Sequence, residues 1–188
     1  MHPAPLITLQ SERLTLRPLT VDDTEAIATL AGHPDVAAST LNIPHPYPRV
    51  TAVAFITSAR RRMTDGTAYV FAINRRGTER LIGCVGLTVD KTHAHGEIGY
   101  WLGVPYWGHG YTTEAARCVM AFGFDKLHLH RVYAGCFADN LASRRVLEKI
   151  GMQYEGTLRG HYRQGDQWKD RACYGLLRAD YTAQSPPI

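Results

Sequence analysis

The segment from Glu97 to Thr113 constrains this chain more than any other. Residues Glu97 to Leu102 read as a strand, Pro105 breaks it, and Gly108 and Gly110 form a turn that opens a helix. The helix shows in Ala116, Val119, Met120, Phe124 and Leu127, apolar positions spaced three or four apart from Thr113 onward. A helix start leaves backbone N–H groups without internal partners and carries partial positive charge. Glycines there remove side chains, so the donors can approach an anion closely. A strand feeding such a turn therefore predicts a cradle for a phosphate or pyrophosphate. Two nucleotide motifs are excluded. A Walker loop needs a lysine and a hydroxyl after its last glycine, where this chain has Tyr111. A dinucleotide loop needs GxGxxG in the first turn of a βαβ unit, and only Gly108 and Gly110 stand here, deep in the chain. Taken alone, the two glycines leave a plain strand-to-helix turn as the competing reading.

The rest of the chain alternates strand and helix signals. Leu14 and Leu16 alternate with Arg13, Thr15 and Arg17, the period of a half-buried strand that Pro18 ends. Asp22 and Asp23 suit the cap and first turn of a short helix through about Ala31. His33 to Val50 carries Pro34, Pro44, Pro46 and Pro48 and is predicted to be mostly loop, after which Thr51 can cap a helix to about Met63. Strands follow at Ala68–Asn74, Leu81–Asp90 and about Gly96–Leu102, the first two joined by the turn-like Arg75-Arg76-Gly77-Thr78. Arg131–Phe137 reads as another strand. Asp139 or Asn140 caps a helix whose apolar face is Ala142, Val146, Leu147 and Ile150 and which Gly151 stops. Two last strands, near Gln153–Arg163 and Gln167–Leu177, flank Gln164-Gly165-Asp166, and the tail from Thr182 to Ile188 is expected to fray. This order predicts an α+β (mixed α/β) fold, one sheet of about seven strands with about four helices against it.

Size and composition set the remaining bounds. With 188 residues the chain suits one domain, residues 1–188 with an ordered core of about 10–180. No stretch approaches the roughly 20 apolar residues of a membrane helix. Met1 to Pro5 has neither the basic start nor the apolar core of a signal peptide, so a cytoplasmic protein without membrane contact is expected. The formal charge of +4 is mostly scattered arginine, and Arg60-Arg61-Arg62 is expected to wrap around a helix rather than line one face. That excludes a nucleic-acid partner as the leading reading while still favouring an anionic ligand. Cys84, Cys118, Cys136 and Cys173 lack paired spacings and are read as buried, reduced thiols. His93/His95 and His128/His130 lack a nearby cysteine or an HExxH context, so no metal is expected.

Longer stretches carry a resemblance. Gly96-Glu97-Ile98-Gly99-Tyr100-Trp101-Leu102, followed by Tyr106-Trp107-Gly108-His109-Gly110-Tyr111-Thr112-Thr113-Glu114-Ala115, resembles the central motif of the GNAT N-acetyltransferases, most of all their ribosomal-protein-acetylating branch. Asn140 to Met152 is similar to that branch's next helix, Trp168-Lys169-Asp170 through Arg178 to its final strand, and Glu12 to Pro18 to its opening. The four motifs stand in the family's order across nearly the whole chain.

The resemblance implies a mostly antiparallel twisted sheet whose central strands, Glu97–Leu102 and Arg131–Phe137, splay into a V. It implies acetyl-coenzyme A as acetyl donor, without a metal, and transfer to a primary amine, either a protein N-terminal α-amine or a small-molecule amine. Cofactor contacts are implied at Trp101, Leu102 and Val104, at Trp107, Gly108, His109, Gly110, Tyr111, Thr112 and Thr113, and at Asn140 and Ser143. The family's cradle pattern is Gln/Arg-x-x-Gly-x-Gly/Ala; Trp107 and Thr112 depart from its ends and Gly110 keeps its middle. Glu97 matches the position of a glutamate base in several members, and apolar surroundings near Tyr100 and Trp101 would suit it to that work. An ordinary strand glutamate paired with an arginine is the alternative. Many members place a thiolate-protonating tyrosine where this chain has Leu147, which leaves Ser143 as the substitute donor, as a pantetheine contact, or as neither. Arg144 and Arg145 either reach the phosphates or face solvent. Tyr47 in the proline-rich loop, with Tyr162 and Trp168 in the last hairpin, are expected near the acceptor beside Glu97. A homodimer is implied by resemblance only. The competing function is a coenzyme A-binding module or sensor without turnover, motivated by Leu147.

Overall fold

The run Leu81 to Val85 is buried on both faces of one strand, as happens where helices cover a sheet on two sides. The computed structural model of the chain, which describes residues 7–184, has that layering. In chain order the elements are β1 (Leu9–Gln10), β2 (Leu14–Pro18), α1 (Thr24–Ala31), α2 (Pro34–Ser39), α3 (Arg49–Thr64), β3 (Ala68–Arg75), β4 (Leu81–Asp90) and β5 (His95–Leu102). They continue with α4 (Tyr111–Asp125), β6 (Arg131–Phe137), α5 (Leu141–Lys149), β7 (Gln153–Gln164), β8 (Gln167–Leu177) and α6 (Arg178–Gln184). The strands join in one eight-stranded sheet of order β1-β2-β3-β4-β5-β6-β8-β7. Among the described residues only the β5–β6 pair is parallel.

One face packs on α4 and α5 through Leu14, Leu16, Phe71, Leu87, Val119, Phe124 and Leu147. The other packs on α1 and α3 through Leu19, Ile27, Ala52, Ile56, Ala72 and Cys84. β7 is an exposed edge, interrupted by register shifts at Tyr154/Gly156 and Leu158/Tyr162 that keep it from presenting a regular ladder to another chain.

Several boundaries differ from the sequence expectations for identifiable reasons. The proline-rich segment contains α2, because Pro34 sits at the first helical position, where its missing N–H costs nothing and His33 caps Asp35. α3 starts at Arg49 with Pro48 as its cap, so Thr51 lies inside its first turn. α4 starts at Tyr111 rather than Thr113, and α6 extends over the start of the tail expected to fray. With β1, these raise the totals among the described residues from the expected seven strands and four helices to eight and six. Ala142 is exposed, leaving Leu147 and Ile150 as the buried face of α5.

The feature that positions the site is a parting of strands. β5 and β6 pair only at His95↔Arg131, Gly96↔Val132 and Glu97↔Tyr133. Past Glu97, β5 stays in register with β4 to Leu102↔Gly83, while β6 follows β8 to Phe137↔Arg171. Each strand keeps its antiparallel partner, so a V opens between them.

Candidate functional site

The glycine turn lies at the end of β5. Gly108 and Gly110 both hold left-handed backbone, at φ +79° and +77°, which a side chain would strain. Gly110 is the N-cap of α4, whose first-turn amides have no intrahelical acceptor. The loop is tied back to β5 by the Trp107 indole, which donates to the Leu102 carbonyl at 2.7 Å. It is tied to the opening strands by Arg13, whose guanidinium donates to the His109 carbonyl at 3.1 Å and lies over the Tyr111 ring.

An acid in the first turn of α4 would repel an anion, but Glu114 is turned onto other partners. It accepts from the Ser11 hydroxyl at 2.8 Å, from the Arg13 amide at 2.7 Å and from Arg13 Nε at 2.7 Å. Burial pushes this carboxyl up, but the bonds from the Arg13 amide, the Ser11 hydroxyl and the Arg13 guanidinium outweigh it and hold the group below its usual range. A depressed folded-state value means that the stabilisation is present above the ordinary carboxylate range and is lost as pH falls through the lowered value. Glu114→Gln is expected to remove that acid-side dependence and to cost about 1–2 kcal/mol. Thermal melts across acid pH would register the cost as a fall of roughly 2–8 °C.

Between the arms of the V is a cavity of about 510 Å3, within the range of small-molecule sites. It is lined by Glu97, Tyr100 and Trp101 from β5, by Gly135, Cys136 and Phe137 from β6, and by Ser143 and Leu147 from α5. Residues Ser39 to Ile43, Tyr47, Phe55 and Tyr162 close the other side. The sequence candidates Tyr47, Glu97, Trp101, Ser143 and Tyr162 therefore share one cavity. Trp168 does not; it is 66% exposed and faces a separate shallow depression with Ala138, Asp139 and Lys169. The residues of the glycine loop, with Leu102 and Val104, stand outside the cavity at the end of β5.

Glu97 is not in the apolar surroundings expected of it. Its side chain is 43% exposed, and Arg171 Nη2 donates to its Oε1 at 2.9 Å. Arg171 comes from β8 and must cross β6 to reach β5, which is possible because β6 has glycine at the crossing point. A Cβ on Gly135 would stand 2.6 Å from Arg171 Cζ. The guanidinium also lies 5.6 Å from the Tyr162 ring centre, and its buried Nε finds no hydrogen-bond partner among the described residues. Gly135→Ala is expected to evict Arg171 from Glu97 and to cost about 1–3 kcal/mol in a melt, whereas Gly99→Ala, with open space at its Cβ, stays within about 0.5 kcal/mol.

Across the cavity, Asn140 caps α5: its Oδ1 accepts from the Ser143 amide at 3.0 Å, and its Nδ2 donates to the Ser39 carbonyl at 3.2 Å. Asn140 rather than Asp139 is thus the cap, and it joins α5 to the last residue of α2. Ser143 Oγ is 3.0 Å from the Tyr100 hydroxyl. Leu147 is 1% exposed and belongs to the core. Arg144 packs against β8, with Nε donating to the Tyr174 hydroxyl at 3.0 Å and Nη1 to the Ala138 carbonyl.

The arginine run divides as its helical spacing implies. Arg60 donates to the Leu19 carbonyl, Arg61 pairs with Asp65 and Arg62 donates to Thr88. Of the four free cysteines only Cys84 is buried; Cys118, Cys136 and Cys173 are half-buried. No group of three or more His, Cys, Asp or Glu among the described residues is arranged to hold a metal, and no described helix is long and apolar enough to cross a membrane.

Sequence reasoning missed Arg13, Tyr100, Gly135 and Arg171. Arg13 and Arg171 lay inside motifs quoted for the resemblance but without a site role. Only strand order reveals that Arg171 crosses Gly135.

A sheet that splays between two parallel strands, with a glycine-capped helix at the end of one arm, is the arrangement that the resemblance to the N-acetyltransferases predicts. Comparison with known proteins places the family: the acetyltransferase (GNAT) domain model matches residues 13–153, and the chain belongs to that family of N-acetyltransferases. The N-acetyltransferase YoaA of Bacillus subtilis (strain 168) is 31% identical over 171 residues, 90% of this chain and 96% of that protein. A GNAT-family acetyltransferase from Bacillus anthracis superposes with a TM-score of 0.82 at 26% identity, covering 92% of this chain and 99% of that one. A ribosomal L7/L12 alpha-N-protein acetyltransferase, solved in complex with coenzyme A, shares the fold with a TM-score of 0.84 at 18% identity, covering 91% and 98% of the two chains.

Proposed function

We propose that this N-acetyltransferase moves the acetyl group to a primary amine, a protein N-terminal α-amine or a small-molecule amine, by direct attack within the V, with Glu97 and Ser143 on opposite sides of the reacting bond. The observation that carries this reading is the single cavity lined at once by Glu97, Ser143 and the aromatic side chains of Tyr47 and Tyr162. Acetyl-coenzyme A supplies an activated thioester. The fit of the chain to it rests on the glycine turn, where the Cβ positions of Gly108 and Gly110 are open or meet only Arg13, so backbone donors of His109 to Thr113 are free to take the pyrophosphate. The parted strands Ile98–Leu102 and Ala134–Phe137 offer backbone groups to the pantetheine arm.

In this reading Glu97 takes the proton of the attacking nitrogen, directly or through water, using the oxygen that Arg171 does not hold. The new C–N bond forms as the C–S bond breaks, and its electron pair goes to sulfur, where Ser143 donates a hydrogen bond. Arg171 keeps Glu97 oriented and balances its charge. Tyr47 and Tyr162, whose hydroxyls burial pushes up, stay neutral and provide an apolar, aromatic rim for the acceptor's body. The test is coenzyme A thiol release from acetyl-coenzyme A across a panel of amines and N-terminal peptides, with acetylated product identified by mass. Thiol release without acetylated amine would count against the reading.

A further inference from the structure

The face of the cavity opposite Glu97 holds a contact that the proposed reaction has not used. Tyr100 rises from β5 on the side of α4 and α5, and its hydroxyl reaches across to the start of α5. There it lies 3.0 Å from Ser143 Oγ and 3.2 Å from the Ser143 carbonyl. We propose that Tyr100 is a positioning residue that occupies an acceptor site on the Ser143 hydroxyl, and so turns the Ser143 hydrogen toward the sulfur of coenzyme A. This rests on the reading that the cavity receives coenzyme A.

A serine hydroxyl has one hydrogen to give and two lone pairs to fill. Burial pushes the Tyr100 phenol well above its ordinary range, against the bond with Ser143, so the phenol keeps its hydrogen at any working pH. The two hydroxyls can bond in either direction, and the phenol hydrogen has two acceptors within reach, Ser143 Oγ at 3.0 Å and the Ser143 carbonyl at 3.2 Å. When it lies on the nearer, Oγ, the serine hydrogen is left for another acceptor. Cys136, the other polar side chain against Ser143, is also raised by burial and stays a thiol, whose sulfur is a weak acceptor. A thiolate in the same cavity is the stronger acceptor and takes the hydrogen. The Ser143 backbone is itself fixed, because its amide donates to the Asn140 side chain. Without a tyrosine at Leu147 on α5, the chain thus places a phenol behind the serine from strand β5. No proton is transferred in this arrangement: sulfur holds the electron pair from the broken C–S bond and later takes a proton from solvent.

The experiment uses coenzyme A itself and requires no acceptor. The bound thiol is titrated by the ultraviolet absorbance of its thiolate, in the unmodified protein, Tyr100→Phe, Ser143→Ala and the double variant, with binding measured in parallel. A donor aimed at sulfur favours the thiolate. The unmodified protein is therefore expected to ionise the bound thiol at lower pH than free coenzyme A, and each single variant to raise that midpoint by about half a pH unit or more. The double variant should raise it no further than Ser143→Ala, since Tyr100 acts only through Ser143. A midpoint unmoved in Tyr100→Phe but raised in Ser143→Ala overturns the role of Tyr100. Midpoints unmoved in both remove Ser143 as the donor and the proposal with it, as does Tyr100→Phe that loses coenzyme A binding altogether. Failure of the unmodified protein to bind coenzyme A saturably would overturn the cofactor reading itself.

Discussion

Gly110→Asp is expected to weaken coenzyme A binding on the order of 100-fold or more in a calorimetric titration, while the protein stays folded. Three costs fall on the same residue. The left-handed backbone at φ +77° disfavours any side chain, by about 1–2 kcal/mol. The Cβ and carboxylate enter the space through which backbone donors would reach a pyrophosphate. A negative charge is set against the positive end of α4, where an anion is meant to bind. Aspartate is a good N-cap and tolerates left-handed backbone better than most residues, so the fold survives and the loss reads on the ligand. Gly110→Ala, which adds strain without charge, should lose less. Undiminished affinity in a folded Gly110→Asp variant would remove the loop as the pyrophosphate site.

The second large effect is expected at Glu97. Glu97→Gln should lower turnover by about 100-fold to 10,000-fold, the usual worth of a positioned general base, with coenzyme A affinity within about twofold of the unmodified protein. Glutamine keeps an oxygen for Arg171 Nη2, so the variant removes the charge and the basicity while sparing the geometry. A carboxylate base works only when ionised, so turnover in the unmodified protein climbs with pH on the acid side. Glu97→Gln should flatten that limb and leave only the rise that belongs to the acceptor amine losing its own proton. Arg171→Met distinguishes orientation from basicity: it leaves a carboxylate in place but unfixed, and turnover should fall by less than in Glu97→Gln. A full pH–rate profile of both variants against one acceptor is the measurement. An acid limb that persists unchanged in Glu97→Gln would mean that another group takes the proton.

The parts of this site that could be read in advance are those whose physics is local. Glycines that accept positive φ ahead of an amphipathic helix mark a candidate anion cradle within a few residues, and Asn140 three residues before Ser143 marks a helix cap. Strand alternation and helical spacing gave nearly every strand limit, and the departures came at short elements such as α2, where proline reads as loop but also suits a first helical position. Contacts between distant residues were not legible. Arg13 holds Glu114 from 101 positions away, Arg171 meets Glu97 across 74, and Tyr100 meets Ser143 across 43. The apolar setting expected for Glu97 failed for the same reason: its neighbours along β5 are Ile98 and Gly96, but its charge partner arrives from β8.

By itself the sequence determined the family, the glycine turn proposed as the cofactor loop and the carboxylate and hydroxyl proposed for acyl transfer, because each is carried by residue types at fixed short spacings. Only the tertiary structure decided how those groups are held. The order β4-β5-β6-β8 brings Arg171 over Gly135 onto Glu97 and lets β5 and β6 part, so that Tyr100 stands behind Ser143. Those relations depend on which strands pair and in which register. That is settled by burial summed over the whole sheet, a quantity no short stretch of sequence contains.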